Sequence, residues 1–315
     1  MNGGAEKKRI GNTTLITNSV MSFVLLIGIL IIWKYILPGR FSFKPDITAE
    51  VGETCAKVDF IDVGQGDAAL VSTDDGKYIL IDCGPEENRS SLLAFLRING
   101  IKKLDMLILT HPHSDHIGSA ARIVKEFVPD KILITSRTEK TPEYEELIDA
   151  FNSTEGISVE TAVTGREYIV GSAVIRILYS RAAYDQNRED ANNDSIVTKI
   201  TLSGKSFLFM ADAETETEKE ICGMFPASEL KADVIKIGHH GSDSSTSEQL
   251  IDIVSPEFAV ISVGEDNGFG HPSESVTERL KERGIKIYRT DISGTVRFKF
   301  TNDALATYIT RVADK

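Results

Sequence analysis

The sequence predicts an α/β (α+β) fold in which two β-sheets pack face to face with helices on their outer sides. Three observations carry this expectation. Short β-rich runs meander in two blocks, the first starting at "AKVDFIDVG" and the second at "EYIVGSAVIRILYS". Each block gives way to strand–helix units instead of further hairpins. Hydrophobic residues make up 41% of the 315, enough to fill an internal core and cover outer faces as well.

The first 54 residues read differently from the rest. Lys7, Lys8 and Arg9 precede a stretch without charge from Gly11 to Trp33 that includes "VMSFVLLIGILII". About 20 apolar residues cross a bilayer core. Trp33 and Tyr35 suit an interfacial position, and no A-x-A-like cleavage site follows. The expected organisation is a basic cytoplasmic tail over 1–18, a transmembrane anchor over 19–37, a linker over 38–54 and one domain over 55–315. Lys/Arg balance on the two sides of the apolar stretch, so orientation rests on the habit of single N-terminal anchors. These leave a large C-terminal domain outside the cell membrane, as a single-pass protein.

Within the domain, "AKVDFIDVG", "DAALVST" and "KYILIDCG" read as strands, with "DDG" at 74–76 turning the last two into a hairpin. "SSLLAFLRING" reads as a helix with Ser caps and Gly100 just past its end. "LDMLILT" is an apolar strand, "IGSAARIVKEF" starts a helix, and "EYEELIDAFN" is helical. The second block continues through "DSIVTKITLSGKSFLFMAD", which turns at Ser203-Gly204. "TETEKEICGMF", "SEQLIDIV" and "SESVTERLKERG" are helices alternating with the strands "ADVIKIG", "FAVISVG" and "GIKIYRT". "GTVRFKF" and "LATYITR" close the chain as strands.

Charge excludes one class of function. The chain carries a net charge of −12, but residues 1–45 hold six Lys/Arg and one acid, leaving 29 bases and 46 acids, a net of −17, in the rest. Such a domain is poorly suited to nonspecific nucleic-acid binding by phosphate neutralisation. A metal site acting on a phosphodiester is not excluded, because bound cations supply local positive charge. The three cysteines, Cys55, Cys83 and Cys222, form no CxxC and leave the redox compartment undecided.

Chemistry concentrates in "THPHSDHIG", residues 110–118, which hold three of the six histidines. In an extended segment, residues i and i+2 point the same way, so His111 and His113 reach one metal ion. Asp115 and His116, on the turn into the next helix, face a second. Imidazole and carboxylate suit Zn²⁺, Mn²⁺ or Fe. Pro112 stiffens the loop and Gly118 lets the chain pass close by. The acidic run "AETETEKE" reads as a solvated helix face, with Glu214 and Glu216 favourable near the helix start.

The H-x-H-x-D-H spacing after an apolar strand resembles the metallo-β-lactamase superfamily. "YILIDCG", "FLFMADAE" and "DVIKIGHHGS" follow in the order that family shows. Together with "FIDVGQGDAALV", "NNDSIVTKI" and "GFGHPS", they resemble the metallo-β-lactamase-like domain of ComEC-type DNA-uptake proteins. The resemblance covers roughly residues 57–300 and implies a four-layer αββα sandwich. It implies two divalent ions, Zn or Mn, bridged by Asp212. The first would be held by His111, His113 and Asp212, and the second by Asp115, His116, Asp212 and His239 or His240. His239, first off its strand, is preferred, leaving His240 either to support a metal ligand from behind or to face substrate. Asp82 lies near the metal loop.

The chain departs from the wider family in having no His between His116 and Asp212. The first site is therefore expected to bind weakly, or to be completed by water, Asn193 or a substrate phosphate. Asn193 and Ser195 occupy the Asn-x-Ser of the ComEC-like pattern. Asp67 either orients a ligand His or is a turn carboxylate, and His271 is a substrate contact or proton donor. The implied activity is a phosphodiesterase or nuclease acting on DNA through a metal-activated hydroxide, with Asp115 orienting the nucleophile and a DNA-uptake channel as a partner. The same scaffold also suits hydrolysis of small esters, lactones or phosphorylcholine esters, or a DNA-binding adaptor with a poorly loaded metal site.

Overall fold

The computed structural model describes residues 56–181, 191–301 and 304–311. The expected tail and anchor lie outside these residues. Among the described residues no helix is long and apolar enough to cross a membrane. Ala49–Lys315 forms one compact unit.

Strands β1 (Lys57–Phe60), β2 (Ala69–Ser72), β3 (Tyr78–Ile81), β4 (Met106–Ile108), β5 (Lys131–Ile134) and β6 (Ser158–Thr161) belong to the first sheet. Strands β7 (Glu167–Val170), β8 (Ala173–Tyr179), β9 (Val197–Leu202), β10 (Lys205–Phe209), β11 (Val234–Lys236), β12 (Phe258–Ile261) and β13 (Lys286–Arg289) form the second. Strands β14 (Val296–Thr301) and β15 (Ala304–Ile309) return to the first sheet, whose order is β15-β14-β1-β2-β3-β4-β5-β6. The second sheet runs β13-β12-β11-β10-β9-β8-β7.

Both sheets are antiparallel in one part and parallel in the other. The parallel strands are β3 to β6 and β10 to β13. Parallel neighbours need crossovers, and helices supply them. Along β3 and β4, Ile79, Ile81, Met106 and Ile108 join an apolar cluster between the sheets with Ile200, Phe207, Phe209 and Val260. Leu80 and Leu107 alternate to the other face and pack with Leu92, Leu96, Val124 and Phe127 of the helices. On the second sheet, Leu208, Ile235 and Ile261 pack outward against Ile221, Leu250 and Leu280. Three apolar seams separate four layers, helix, sheet, sheet, helix.

Phe298 on β14 locks the central seam. It is fully buried, with ring centroids 6.0 Å from Phe60 on its own sheet and 5.9 Å from Phe207 and 5.4 Å from Phe258 on the other.

Several local expectations differ from what is observed. Strands β5 and β6 fall where no strand was expected; β6 is an exposed edge strand with little apolar pattern to read. Helix α1 (Arg89–Ile98) starts before Ser90 and Ser91, so neither caps it. Asn88 sits at the cap position, but its amide donates to the Val63 carbonyl instead (2.8 Å). The helix after the His motif is broken into α2 (Ser114–Ile117) and α3 (Ala120–Phe127). Between them, a Cβ on Gly118 would lie 2.5 Å from both Glu86 N and Ser114 O, so only glycine fits. The acidic run is not wholly solvated. Glu218, on α5 (Thr215–Met224), the helix after α4 (Pro142–Ser153), is buried and accepts hydrogen bonds from the backbone N–H groups of Thr246 and Ser247.

Candidate metal centre

The candidate site forms at the C-terminal ends of parallel strands from both sheets, where α/β proteins commonly place ligands. β3 delivers Asp82, β4 the loop of His111, His113, Asp115 and His116, β10 Asp212, and β11 His239 and His240. Four non-glycine residues here adopt left-handed backbone: Asp82 (φ 56°), Ala211 (φ 49°), His239 (φ 45°) and His240 (φ 52°). Such conformations are costly and cluster at functional sites.

Among the described residues three groups of ligand-type atoms converge, those within each group lying inside 4.8 Å of one another: Asp67, Asp82 and His116, whose carboxylates back the His116 ring, and two that face the site, Asp115, His116, Asp212 and His240, and His111, His113 and Asp212. Asp212 belongs to both of the latter. Its Oδ1 lies 3.2 Å from His116 Nε2, and its Oδ2 lies 3.6 Å from His240 Nε2 and 3.7 Å from His111 Nε2.

The surroundings fix which ring nitrogens face inward. His116 donates Nδ1–H to Asp82 Oδ2 (2.8 Å), and His240 donates Nδ1–H to the Ser262 carbonyl (2.9 Å). In the neutral rings each Nε2 then presents a lone pair to the cluster. Asp82 is itself held by the backbone N–H and hydroxyl of Thr110 (2.8 and 2.7 Å). A Cβ on Gly66 would lie 2.3 Å from the Asp115 carbonyl, so glycine lets the 64–67 loop press against the metal loop.

These residues fit divalent ions. His116 Nε2 and Asp212 Oδ1 are both buried and face each other at 3.2 Å, with no well-aligned hydrogen bond to any group. Polar atoms left in that state are expensive; an ion between the two groups would satisfy both. The mixed imidazole and carboxylate donors suit Zn²⁺, Mn²⁺ or Fe. Loss of an orienting partner typically weakens metal binding about 10–100-fold. Asp82→Asn is expected to reduce affinity to that extent, as read by metal titration against a chromogenic chelator.

The electrostatics agree. Burial, and then His116, push His111 well below the usual imidazole range. Burial works against charge on His116, but Asp212, Asp82 and Asp115 outweigh it and raise that ring well above the ordinary value. Burial likewise opposes charge on Asp212, yet His116 and His240 hold it well below the usual carboxylate range. In the metal-free protein a proton is thus held among the carboxylates where a cation belongs. Metal must displace that proton. Below the raised His116 value, apparent affinity is expected to climb with pH, and calorimetry in buffers of different ionisation enthalpy is expected to show proton release.

The remaining residues fall into different roles from those expected. His240, not His239, joins the second cluster; two successive left-handed residues turn the second ring inward. His240 is buried, so it does not face substrate. His239 Nδ1 lies 3.1 Å from Glu214 Oε1, its Nε2 3.4 Å from Asn192 Nδ2 and 4.0 Å from Asp212 Oδ2. Asn193 does not complete the first cluster: its Oδ1 accepts from Glu214 N and Thr217 Oγ1 (3.1 and 2.9 Å), fixing the start of α5. Ser195 Oγ accepts from Asp212 N (3.3 Å) and positions that residue. Burial, and then His239 and His240, lower the His271 value.

Asp67 is more than a turn carboxylate. It is ion-paired with buried Lys236 and lies 3.5 Å from His240 Nδ1. Lys236 also donates to the Ala211 carbonyl (3.3 Å), next to Asp212. Lys236 and Glu214 had no expected place in the site. A lone lysine inside the apolar run "DVIKIG" was the signal, since buried lysines need a partner.

A sequence profile of the metallo-beta-lactamase superfamily matches residues 61–172. The chain belongs to the metallo-β-lactamase superfamily. ComE operon protein 3 of Bacillus subtilis is 34% identical over 263 residues, 78% of this chain and 33% of that protein. Competence protein ComA of Neisseria gonorrhoeae is 30% identical over 264 residues, 84% of this chain and 34% of that protein. Recombination protein 2 of Haemophilus influenzae is 34% identical, covering 79% of this chain and 29% of that protein. The chain therefore spans about a third of the length of these relatives. Two solved structures share the fold of this chain. YhfI from Bacillus subtilis superposes with a TM-score of 0.51 at 13% identity, covering 77% of this chain and 99% of that one. CmlA from Streptomyces venezuelae superposes with a TM-score of 0.52 at 15% identity, covering 78% and 54%.

Proposed function

We propose that this metallo-β-lactamase domain is a two-metal phosphodiesterase that cleaves DNA. The observation that carries this reading is Asp212, shared by two His/Asp clusters. Similarity to competence and recombination proteins supports DNA as the substrate class.

When bound, paired divalent ions supply Lewis acidity, acidify a water and clamp the oxygens of an in-line displacement. The chain's own residues do the rest. His111, His113 and Asp212 would hold one ion, and Asp115, His116, Asp212 and His240 would hold the other. Asp115 is 30% exposed, and its Oδ2 lies 3.1 Å from His240 Nε2. Burial opposes its charge, but His116 and His240 keep it well below the usual carboxylate range. It therefore stays ionised, able to orient the attacking water through its exposed edge. His239, backed by Glu214 and partly exposed, is placed to carry a proton to the leaving oxygen. Lys236 balances Asp67 beneath the site.

Residues 19–37 anchor the chain in the cell membrane with the domain outside, beside a DNA-uptake channel. Their removal is expected to release the protein from membranes.

The test is metal analysis of purified protein, followed by cleavage assays on single- and double-stranded DNA with Mn²⁺ or Zn²⁺. Metal-dependent cleavage supports the reading. Bound metal with ester hydrolysis and no DNA cleavage would overturn it in favour of a small-ester hydrolase.

A further inference from the structure

The loop after β12 carries an exposed aromatic ring at the mouth of the site. Phe269 is 72% exposed. Single exposed apolar residues are ordinary on protein surfaces, but this one ends a ladder of rings. Phe269 lies against His271 with centroids 5.9 Å apart and planes 24° from parallel. His271 is 5.5 Å from His239, whose Nε2 is 4.0 Å from Asp212. The ladder thus runs outward from the candidate metal centre to solvent.

The loop is held in this shape by one side chain. Asn267 Nδ2 donates to the carbonyls of Gly264 and His271 (3.0 and 2.7 Å), and its Oδ1 accepts from the N–H groups of Phe269 and His271 (3.2 and 3.1 Å). On either side of Phe269, a Cβ on Gly268 or Gly270 would meet nothing within 4 Å. The ring stands in open space on a fixed base.

Charge makes a second, independent argument. Residues 46–315 carry a net of −17, and Lys236 beside the cluster is already paired with Asp67. Neutralising phosphates can contribute little to holding a DNA strand here. Stacking needs no positive charge, and every base offers a π-face.

We propose that Phe269, supported by His271, is a stacking subsite for an unpaired nucleobase flanking the scissile phosphate. The inference rests on the phosphodiesterase reading and deepens it. In a duplex both faces of a base are covered by its neighbours, so the subsite selects single strands and frayed ends.

The test uses the full chain, wild type and Phe269→Ala. Binding of a fluorescein-labelled, cleavage-resistant phosphorothioate oligothymidylate to the metal-loaded protein is followed by anisotropy, and KM is measured on the unmodified oligonucleotide with Mn²⁺. Stacking of this kind corresponds to roughly a 5- to 100-fold change in affinity per base. Phe269→Ala is expected to weaken binding and raise KM within that range, and Phe269→Trp to restore both. With abasic sites in place of the bases, wild type and Phe269→Ala are expected to become equal. Unchanged binding in Phe269→Ala, or a difference that persists on the abasic strand, would overturn the subsite while leaving the nuclease reading intact. Wild-type protein that hydrolyses methyl p-nitrophenyl phosphate but neither binds nor cleaves the oligonucleotide would overturn both.

Discussion

Replacing Asp212 by asparagine is expected to abolish metal-dependent hydrolysis. Asp212 is the one residue common to both clusters, and its two oxygens face different histidines. An amide offers one neutral oxygen in place of two that share a charge. The loss is expected to exceed the roughly 10–100-fold penalty of losing a merely orienting partner, and both ions are expected to be affected together. Metal content by atomic absorption and kcat/KM on a phosphodiester check this. Circular dichroism is expected to stay native, because the side chain supports the site and not the core. A variant that keeps full activity, or loses only one ion, would remove Asp212 from its shared role.

Phe298→Ala is expected to have the largest effect on stability. The ring is fully buried and touches aromatic partners on both sheets. Truncating a buried phenylalanine costs about 3–5 kcal/mol, which for a domain of this size lowers Tm by roughly 10 °C. The donors of the metal centre come from both sheets, so looser docking is also expected to weaken metal binding. Thermal unfolding with and without added metal separates the two effects. If the melting temperature moves by only a degree or two, Phe298 does not lock the seam.

Much of the architecture was legible in the sequence. Alternation along "KYILI" and "LDMLI" follows from sheets covered on both faces, and the Ser203-Gly204 turn joins β9 and β10 as expected. Edge strand β6 was not legible, because little of it is buried and no apolar period marks it. At the site, the spacing of His111, His113, Asp115 and His116 identified the residues that converge. The choice between His239 and His240 went wrong for a backbone reason. Reasoning from the end of a strand assumes extended geometry, whereas both residues are left-handed. Asn193 was misplaced because motif position says nothing about direction, and its amide is engaged by Glu214 and Thr217.

On the ribosome, β1 emerges long before one of its two neighbours has been translated. It pairs with β2 on one side and with β14 on the other, in a register that sets Lys57 opposite Lys299. Pairings so distant in sequence close slowly, and an unpaired strand edge invites association with other chains meanwhile. The nascent His111–His116 loop waits in the same way for Asp212 and His240. An ion captured early has only part of its coordination shell. Because the C-terminal hairpin closes on β1, damage to it is expected to show first as lost yield during biosynthesis, before any change in the chemistry of molecules that mature.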